Sequence, residues 1–171
     1  EVHILDTNGT WIKSIGGAPK TRMQAAHEAI LALVTDSSLT SGVDYGFAYW
    51  AHGSSGFSRW NGNHKTGTGS ATPCNSYNCL KVPIYKGGAA QIAKMIKTVN
   101  PGGGTDAMAF MRIASQYYLN STFTPIDKNS KCQKSYVLVI GDGNWYNHNS
   151  AVSTARNLYN NHGISTFTVA F

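Results

Sequence analysis

Short apolar runs and longer apolar stripes alternate along the chain, and they predict strands and helices in turn. Runs that stop at Gly, Asp or Asn are typical of buried strands. Stripes spaced by three or four residues, such as Met23, Ala26 and Ile30, are typical of amphipathic helices. The predicted strands cover residues 2–5, 43–50, 80–85, 136–140 and 164–171, and the predicted helices cover 21–34, 89–99, the stretch after Asp106 to about 119, and 150–162.

This alternation predicts an α/β fold with a mostly parallel central sheet and helices on both faces, a Rossmann-like arrangement. Pro83 has no backbone N–H for a sheet ladder, so the strand at 80–85 is expected at a sheet edge. Residues 11–19 are predicted to be a loop because Gly and Pro interrupt them. Ser150 is the predicted N-cap of the last helix, and Gly163 marks its end.

Composition places the chain among globular proteins. Its 171 residues, 42% of them hydrophobic, are enough for a single domain, 1–171, with a sizeable core. Charged residues make up 13%, and a surface rich in Gly, Ser, Thr and Asn is typical of secreted or cell-surface proteins. The formal charge is +6, but the basic residues are scattered, so no nucleic-acid surface is indicated. No apolar stretch is long enough to span a membrane.

Residues 51–78 are an irregular stretch of Gly, Ser, Thr and Asn, which we interpret as an insertion. Long loops in compact domains are usually functional or mobile; the alternative is an insertion without a role. Cys74 and Cys79 enclose a short polar turn, which suits a local disulfide in an oxidising compartment. Two unpaired thiols are the alternative. Cys132 is left over and is available to a segment outside this chain.

Oxygen-bearing side chains follow the predicted strands at three places. Asp6, Asn8 and Thr10 lie in the turn after the first strand. Thr105 follows the triple-Gly turn, and Asp142 follows the strand at 136–140. In parallel α/β sheets, ligands bind at the carboxyl ends of the strands. Carboxylate, amide and hydroxyl oxygens, with no His or Cys among them, suit Mg²⁺, Mn²⁺ or Ca²⁺ rather than zinc.

These three elements resemble the metal-ion-dependent adhesion site of von Willebrand factor A domains, where an Asp-x-Ser-x-Ser turn, a distant Thr and a distant Asp hold the metal. The matching segments are 6–10, 103–106 and 139–143, and their order and spacing agree over essentially the whole chain. Asn8 and Thr10 stand where Ser is usual, which leaves the choice between Mg²⁺ and Ca²⁺ open. Within the family, the chain most resembles the A domain of type IV pilus tip adhesins (PilC/PilY-like proteins), through segments 20–26, 104–107 and 136–145.

The resemblance implies adhesion rather than catalysis. It implies the von Willebrand factor A fold with one antiparallel edge strand, and an extracellular location at a bacterial surface or pilus tip. The expected metal is Mg²⁺, or Mn²⁺ or Ca²⁺, with a coordination position left for a carboxylate of an acidic protein or host-surface ligand. Pilus components are further expected partners. The insertion is expected on the same rim as the metal, where it would supply the contact residues Phe57, Arg59, Trp60, Lys65 and Tyr77.

Two other functions stay open from the sequence. A degenerate, empty metal site would leave a structural module that transmits or senses force in the pilus. A metal-dependent hydrolase would need a general base, and near the proposed ligands the chain offers Asp106 and His148. Asp106 is more simply interpreted as favouring a helix N-terminus, and His148 as part of a polar loop.

Overall fold

Helices and short strands alternate in the computed structural model, which describes residues 3–5, 11–14, 20–49, 79–99, 106–121, 124–141 and 145–170. The strands are β1 (His3–Leu5), β2 (Trp11–Ser14), β3 (Tyr45–Ala48), β4 (Leu80–Tyr85), β5 (Tyr136–Gly141) and β6 (Ser165–Ala170). The helices are α1 (Arg22–Thr35), α2 (Ser37–Thr40), α3 (Gly88–Met95), α4 (Ala107–Tyr118) and α5 (His148–His162), and a 3₁₀ turn, Ile96–Thr98, extends α3. The α/β class predicted from the sequence is confirmed.

The strands pair two by two. β1 pairs with β2 and β3 with β4, both antiparallel, whereas β5 and β6 are parallel from Tyr136 beside Ser165 to Gly141 beside Ala170. Parallel neighbours need a crossover between them, and α5 supplies it. β5, α5 and β6 therefore form a β-α-β unit, the building block of the predicted Rossmann-like arrangement.

Local sequence explains where several elements begin. Thr21 closes a capping box ahead of α1: its hydroxyl oxygen accepts from the N–H of Gln24 at 3.2 Å, and the Gln24 side chain accepts from the N–H of Thr21 at 2.8 Å. Gly163, at φ 67°, ends α5 in the left-handed conformation, as predicted. β4 has the predicted bounds.

The sequence prediction is wrong about β2 and about the start of α5. Trp11–Ser14 is a strand rather than a loop, because it pairs with β1. The sequence of a single segment does not show whether a partner strand is present. Helix α5 begins at His148, not near Ser150, because Asn147 takes the position before the helix with φ 55°. His148 consequently lies in the first turn of a helix rather than in a loop.

Two larger apolar clusters and a small one, Cys79 with Ile113, form the core of the described residues. Helices α1 and α3 pack with β4 through Val34, Val82, Ile92, Met95, Ile96 and Val99. Helices α4 and α5 pack with β5 through Ala107, Phe110, Met111, Tyr118, Val139, Ala151, Leu158 and Ile164. On α4, Ile113 packs with the buried Cys79, and the Tyr117 hydroxyl accepts from the N–H of Ile84 at 2.9 Å. Helix α4 therefore links β4 to the β5–β6 unit.

One face of the β5–β6 sheet is open. Successive residues of a strand point to opposite faces, and Val139 on the helix side is 3% exposed. On the other side, Tyr136 and Phe167 are 56% and 55% exposed, with ring centroids 6.0 Å apart, and Leu138 and Val169 accompany them. The prediction that this strand is fully buried is therefore wrong for one of its faces.

Replacing Gly88 with Ala is predicted to destabilise the fold. A Cβ at Gly88 would overlap the carbonyl oxygen of Tyr45, so α3 and β3 would have to separate. We expect a loss of about 2–3 kcal/mol in the free energy of unfolding, measured by urea denaturation. Gly163→Ala is the control, because no atom lies close to the position of its Cβ. The only cost expected there is the backbone strain of alanine at φ 67°, a loss of about 1 kcal/mol in the free energy of unfolding. Equal losses in the two variants would contradict the steric argument.

Alkaline pH is predicted to destabilise the wild type more than a Tyr118→Phe variant. The Tyr118 hydroxyl donates to the carbonyl oxygen of Tyr136 at 2.9 Å. Burial, reinforced by the neighbouring Tyr117, raises the pKa of Tyr118 from 10.0 to about 12. Between these two values the folded protein keeps a proton that the unfolded chain releases, so stability falls as pH rises.

From pH 10 to pH 12 the wild type should lose up to about 2 kcal/mol relative to the variant, because each unit of pKa shift corresponds to about 1.4 kcal/mol. At neutral pH the variant should be less stable by about 1 kcal/mol, the value of the lost hydrogen bond. Urea denaturation across this pH range measures both. A difference that does not change with pH would contradict the buried-phenol explanation.

Candidate functional site

The predicted metal ligands and contact residues lie outside the described residues. This holds for the ligand set Asp6, Asn8, Thr10, Thr105 and Asp142, for the insertion residues Phe57, Arg59, Trp60, Lys65 and Tyr77, and for Cys74. The structure does describe the residues that flank them. Leu5 precedes the first loop, Asp106 follows Thr105, and Gly141 precedes Asp142.

Asp106 joins the start of α4 to the start of α5. Its side chain is 4% exposed, and Oδ1 accepts from the backbone N–H of Met108 at 2.9 Å, which caps α4. The same oxygen accepts from Nδ2 of Asn147 at 3.0 Å. The N–H of Ala107 donates to the carbonyl oxygen of Tyr146 at 3.0 Å, so the backbones are bridged as well. We call Asp106, Ala107, Tyr146 and Asn147 the Asp106 clasp.

The clasp has a direct consequence for two of the predicted ligands. Thr105 immediately precedes Asp106, a member of the clasp, in the sequence. Asp142 follows Gly141 at the end of β5 and lies three residues before Trp145, which adjoins the clasp. The structure therefore brings together the flanks of Thr105 and Asp142, which are far apart in the sequence.

The first predicted loop is not tied to that region by strand pairing. Within the part of the chain that the structure describes, β1 pairs with β2, and no ladder connects β1 to β5. The position of Asp6, Asn8 and Thr10 relative to the clasp stays a prediction. No group of three or more His, Cys, Asp or Glu side chains in the described ranges is arranged to hold a metal ion.

Trp145 covers the end of β5. A Cβ at Gly141 would lie 3.1 Å from Nε1 of Trp145, so the absence of a side chain at Gly141 lets the indole lie against the strand. The indole also contacts Phe110 of α4 edge to face, with centroids 5.1 Å apart and an interplanar angle of 70°. Trp145 therefore fixes the position of α4 against the carboxyl end of β5.

The residues that flank the predicted insertion lie next to each other. The N–H of Tyr49, after β3, donates to the carbonyl oxygen of Cys79, before β4, at 3.0 Å. Cys79 is fully buried and disulfide-bonded, whereas Cys132 is a free, exposed thiol. Next to Cys79, Lys81 is 2% exposed, and burial lowers the pKa of its ammonium group. Residues 50–78 are thus a long connection within an antiparallel pair, anchored at its base.

Sequence reasoning identified one member of the clasp and missed the others. Asp106 was expected at a helix N-terminus, and the structure confirms this. Asn147 and Tyr146 were not singled out, although an Asn before a helix is a common cap and one of the few residues that tolerate positive φ. Trp145 had a usable signal, a large aromatic residue two positions after the sequence Gly-Asp-Gly. Lys81 gave none, because nothing in a strand pattern marks a buried lysine.

Comparison with known proteins adds no relative. No protein-family model matches the chain, and no curated protein or solved structure matches it. The likeness to von Willebrand factor A domains therefore rests on the motifs. Within the described segments, no helix is both long enough and apolar enough to cross a membrane.

Asp106→Ala is predicted to open the clasp, and Asp106→Asn to keep it. Alanine leaves the N–H of Met108 and the amide of Asn147 without their acceptor in a buried place, which should cost about 2–3 kcal/mol. Asparagine retains an oxygen that accepts both bonds, so we expect a loss of about 1 kcal/mol or less. Chemical denaturation measures the losses. A double-mutant cycle with Asn147→Ala isolates the Asp106–Asn147 bond, and additive losses would contradict the coupling.

Proposed function

We propose that this chain is an extracellular adhesion domain of the von Willebrand factor A type that binds an acidic ligand through a divalent cation. The observation that carries the proposal is the Asp106 clasp, because it holds together the flanks of two of the three predicted metal loops. A site assembled from distant segments requires that those segments be held together. The clasp meets this requirement, because it joins the starts of two helices that each follow a predicted ligand loop.

We further propose that the three two-stranded sheets belong to one mostly parallel sheet with helices on both faces and β4 at its antiparallel edge. The parallel unit β5–α5–β6 supports this, as does the antiparallel pairing of β4, which contains Pro83. The apolar side chains on both faces of β5 also support it, since strands of parallel sheets are apolar on both faces.

The residues proposed to hold the cation are Asp6, Asn8, Thr10, Thr105 and Asp142, all of them oxygen donors suited to Mg²⁺, Mn²⁺ or Ca²⁺. The bound cation would act as a Lewis acid toward one oxygen of an incoming carboxylate. The two aspartates supply the negative charge, and Asn8 and the two threonines supply neutral oxygens. Because five monodentate groups leave an octahedral shell incomplete, an Asp or Glu of the partner can complete it.

The insertion is proposed to select the partner through Phe57, Arg59, Trp60, Lys65 and Tyr77. Its two ends meet at the Tyr49–Cys79 hydrogen bond, so the loop is held on a fixed base while its sequence is free to vary. The disulfide-bonded state of Cys79 supports a pairing with Cys74 and an oxidising, extracellular location. The formal charge of +6 favours an acidic partner by electrostatic steering.

Titration of Mg²⁺, Mn²⁺ and Ca²⁺ into chelator-stripped protein, followed by calorimetry, tests the proposed function. We expect the wild type to bind at least one of these ions at a single site. Asp142→Ala and Asp6→Ala each remove a charged ligand and should weaken binding by more than about tenfold. Asp44→Ala is the matched control, because Asp44 is an exposed carboxylate outside the proposed site, and its binding should equal that of the wild type.

Binding that survives in both Asp142→Ala and Asp6→Ala would contradict the proposed ligand set. No binding by the wild type would mean a degenerate site, and it would favour the structural, force-bearing alternative.

A further inference from the structure

Three exposed lysines lie within seven residues in the loop that leads into β5. Lys128, Lys131 and Lys134 make 128–134 the only seven-residue window of the chain that contains three basic residues. Every residue from 127 to 134 is exposed. Among the described residues, none of the three lysines forms an ion pair with a carboxylate. We call residues 127–134 the lysine loop.

Tyr118, the last residue of α4, closes the base of this loop. Its carbonyl oxygen accepts from the hydroxyl of Thr124 at 2.6 Å, on the side where the chain enters the loop. Its own hydroxyl donates to the carbonyl oxygen of Tyr136 at 2.9 Å, on the side where the chain leaves the loop for β5. Both ends of the loop are therefore fastened to one buried residue of the core.

The side chain of Gln133 braces the loop from within. Its Oε1 accepts from the N–H of Asp127 at 2.6 Å, and its Nε2 donates to the carbonyl oxygen of Pro125 at 3.1 Å. Asp127 is the only acidic residue of the lysine loop, and its Oδ1 accepts from the N–H of Asn129 at 2.9 Å. The lysines are thus carried by a backbone that is already ordered, so binding a partner costs less conformational entropy.

The composition of the loop indicates the kind of partner that it fits. Residues 127–134 include no aromatic and no aliphatic apolar side chain. Protein partners are usually held by buried aromatic or apolar anchors, and single-stranded nucleic acids by stacking on aromatic rings. Lysine ammonium groups on flexible stems act as point charges, and short lysine-rich segments of this kind are typical of heparin-binding patches. A flexible polymer of repeated negative charges needs nothing more.

We propose that the lysine loop is a binding surface for an anionic polysaccharide, a chain of sugar units that carries sulfate or carboxylate groups. This surface is additional to the proposed cation site. The loop enters β5 at its amino end, whereas the predicted ligand Asp142 follows its carboxyl end, roughly 17 Å further along the strand. Binding of the polysaccharide therefore requires no cation.

The test compares two triple variants that remove the same charge from different places. The loop variant combines Lys128→Gln, Lys131→Gln and Lys134→Gln. The control variant combines Lys86→Gln, Lys94→Gln and Lys97→Gln, which are also exposed lysines. The probe is heparin, which carries both sulfate and carboxylate groups, and calorimetry in the presence of EDTA measures its dissociation constant. We expect this constant to rise about tenfold in the loop variant and to stay within about twofold of the wild type in the control.

Two further results are expected of the wild type. Its affinity for heparin should fall as NaCl is raised from about 50 to about 200 mM, because exposed ion pairs are screened by salt. Dextran, a neutral polysaccharide, should not bind.

Equal weakening in the two triple variants would mean that net charge alone attracts heparin, and it would overturn the proposal. Tighter binding of duplex DNA or poly-glutamate than of heparin would overturn the choice of partner. Binding in Mg²⁺ that EDTA abolishes would mean that heparin binds through the cation, which would also overturn it. Absence of Mg²⁺ binding contradicts the proposed function alone, whereas absence of heparin binding contradicts this inference alone.

Discussion

The buried carboxylate of Asp106 joins the starts of two helices, α4 and α5. A carboxylate at 4% exposure is tolerated only when donors replace water, and here Met108 and Asn147 both donate to it. The first bond caps α4 and the second fixes the residue before α5. Because α4 also contacts β4 and β5, this one group ties the start of α5 to a helix that contacts both strands.

The β-α-β unit explains why a ligand site is predicted at the carboxyl end of β5. Parallel strands send their carboxyl ends to the same edge, and β5 ends at Gly141, immediately before a predicted ligand. The absence of a side chain at Gly141 admits Trp145, and Trp145 in turn contacts α4. The described residues next to the predicted ligands Thr105 and Asp142 therefore lie at the ends of a strand and two helices, and such elements hold ligands more precisely than loops do. The two residues that flank the predicted insertion, Tyr49 and Cys79, are joined by a backbone hydrogen bond.

Much of the secondary structure was predictable because its determinants are local. The capping box at Thr21, the left-handed Gly163 and the apolar stripes of α1, α3 and α4 are contained within single segments, and the bounds of β4 were predicted to the residue. The errors lie where a distant segment of the chain determines the local structure. β2 exists through its pairing with β1, and the start of α5 is set by Asn147, whose side chain reaches a residue 41 positions away.

By itself, the sequence determined the α/β class and most of the helices and strands, and it predicted a set of oxygen ligands at three loops, since periodicity, turns and residue chemistry are properties of short stretches. Tertiary structure alone decided that Asp106 and Asn147 share a hydrogen bond, that Tyr136 and Phe167 on one face of the β5–β6 sheet are exposed, and that the Trp145 donor is buried without an acceptor among the described residues. Each of these features depends on which distant segments of the chain pack together. Burial and hydrogen-bond pairing result from that packing and cannot be read from one segment alone.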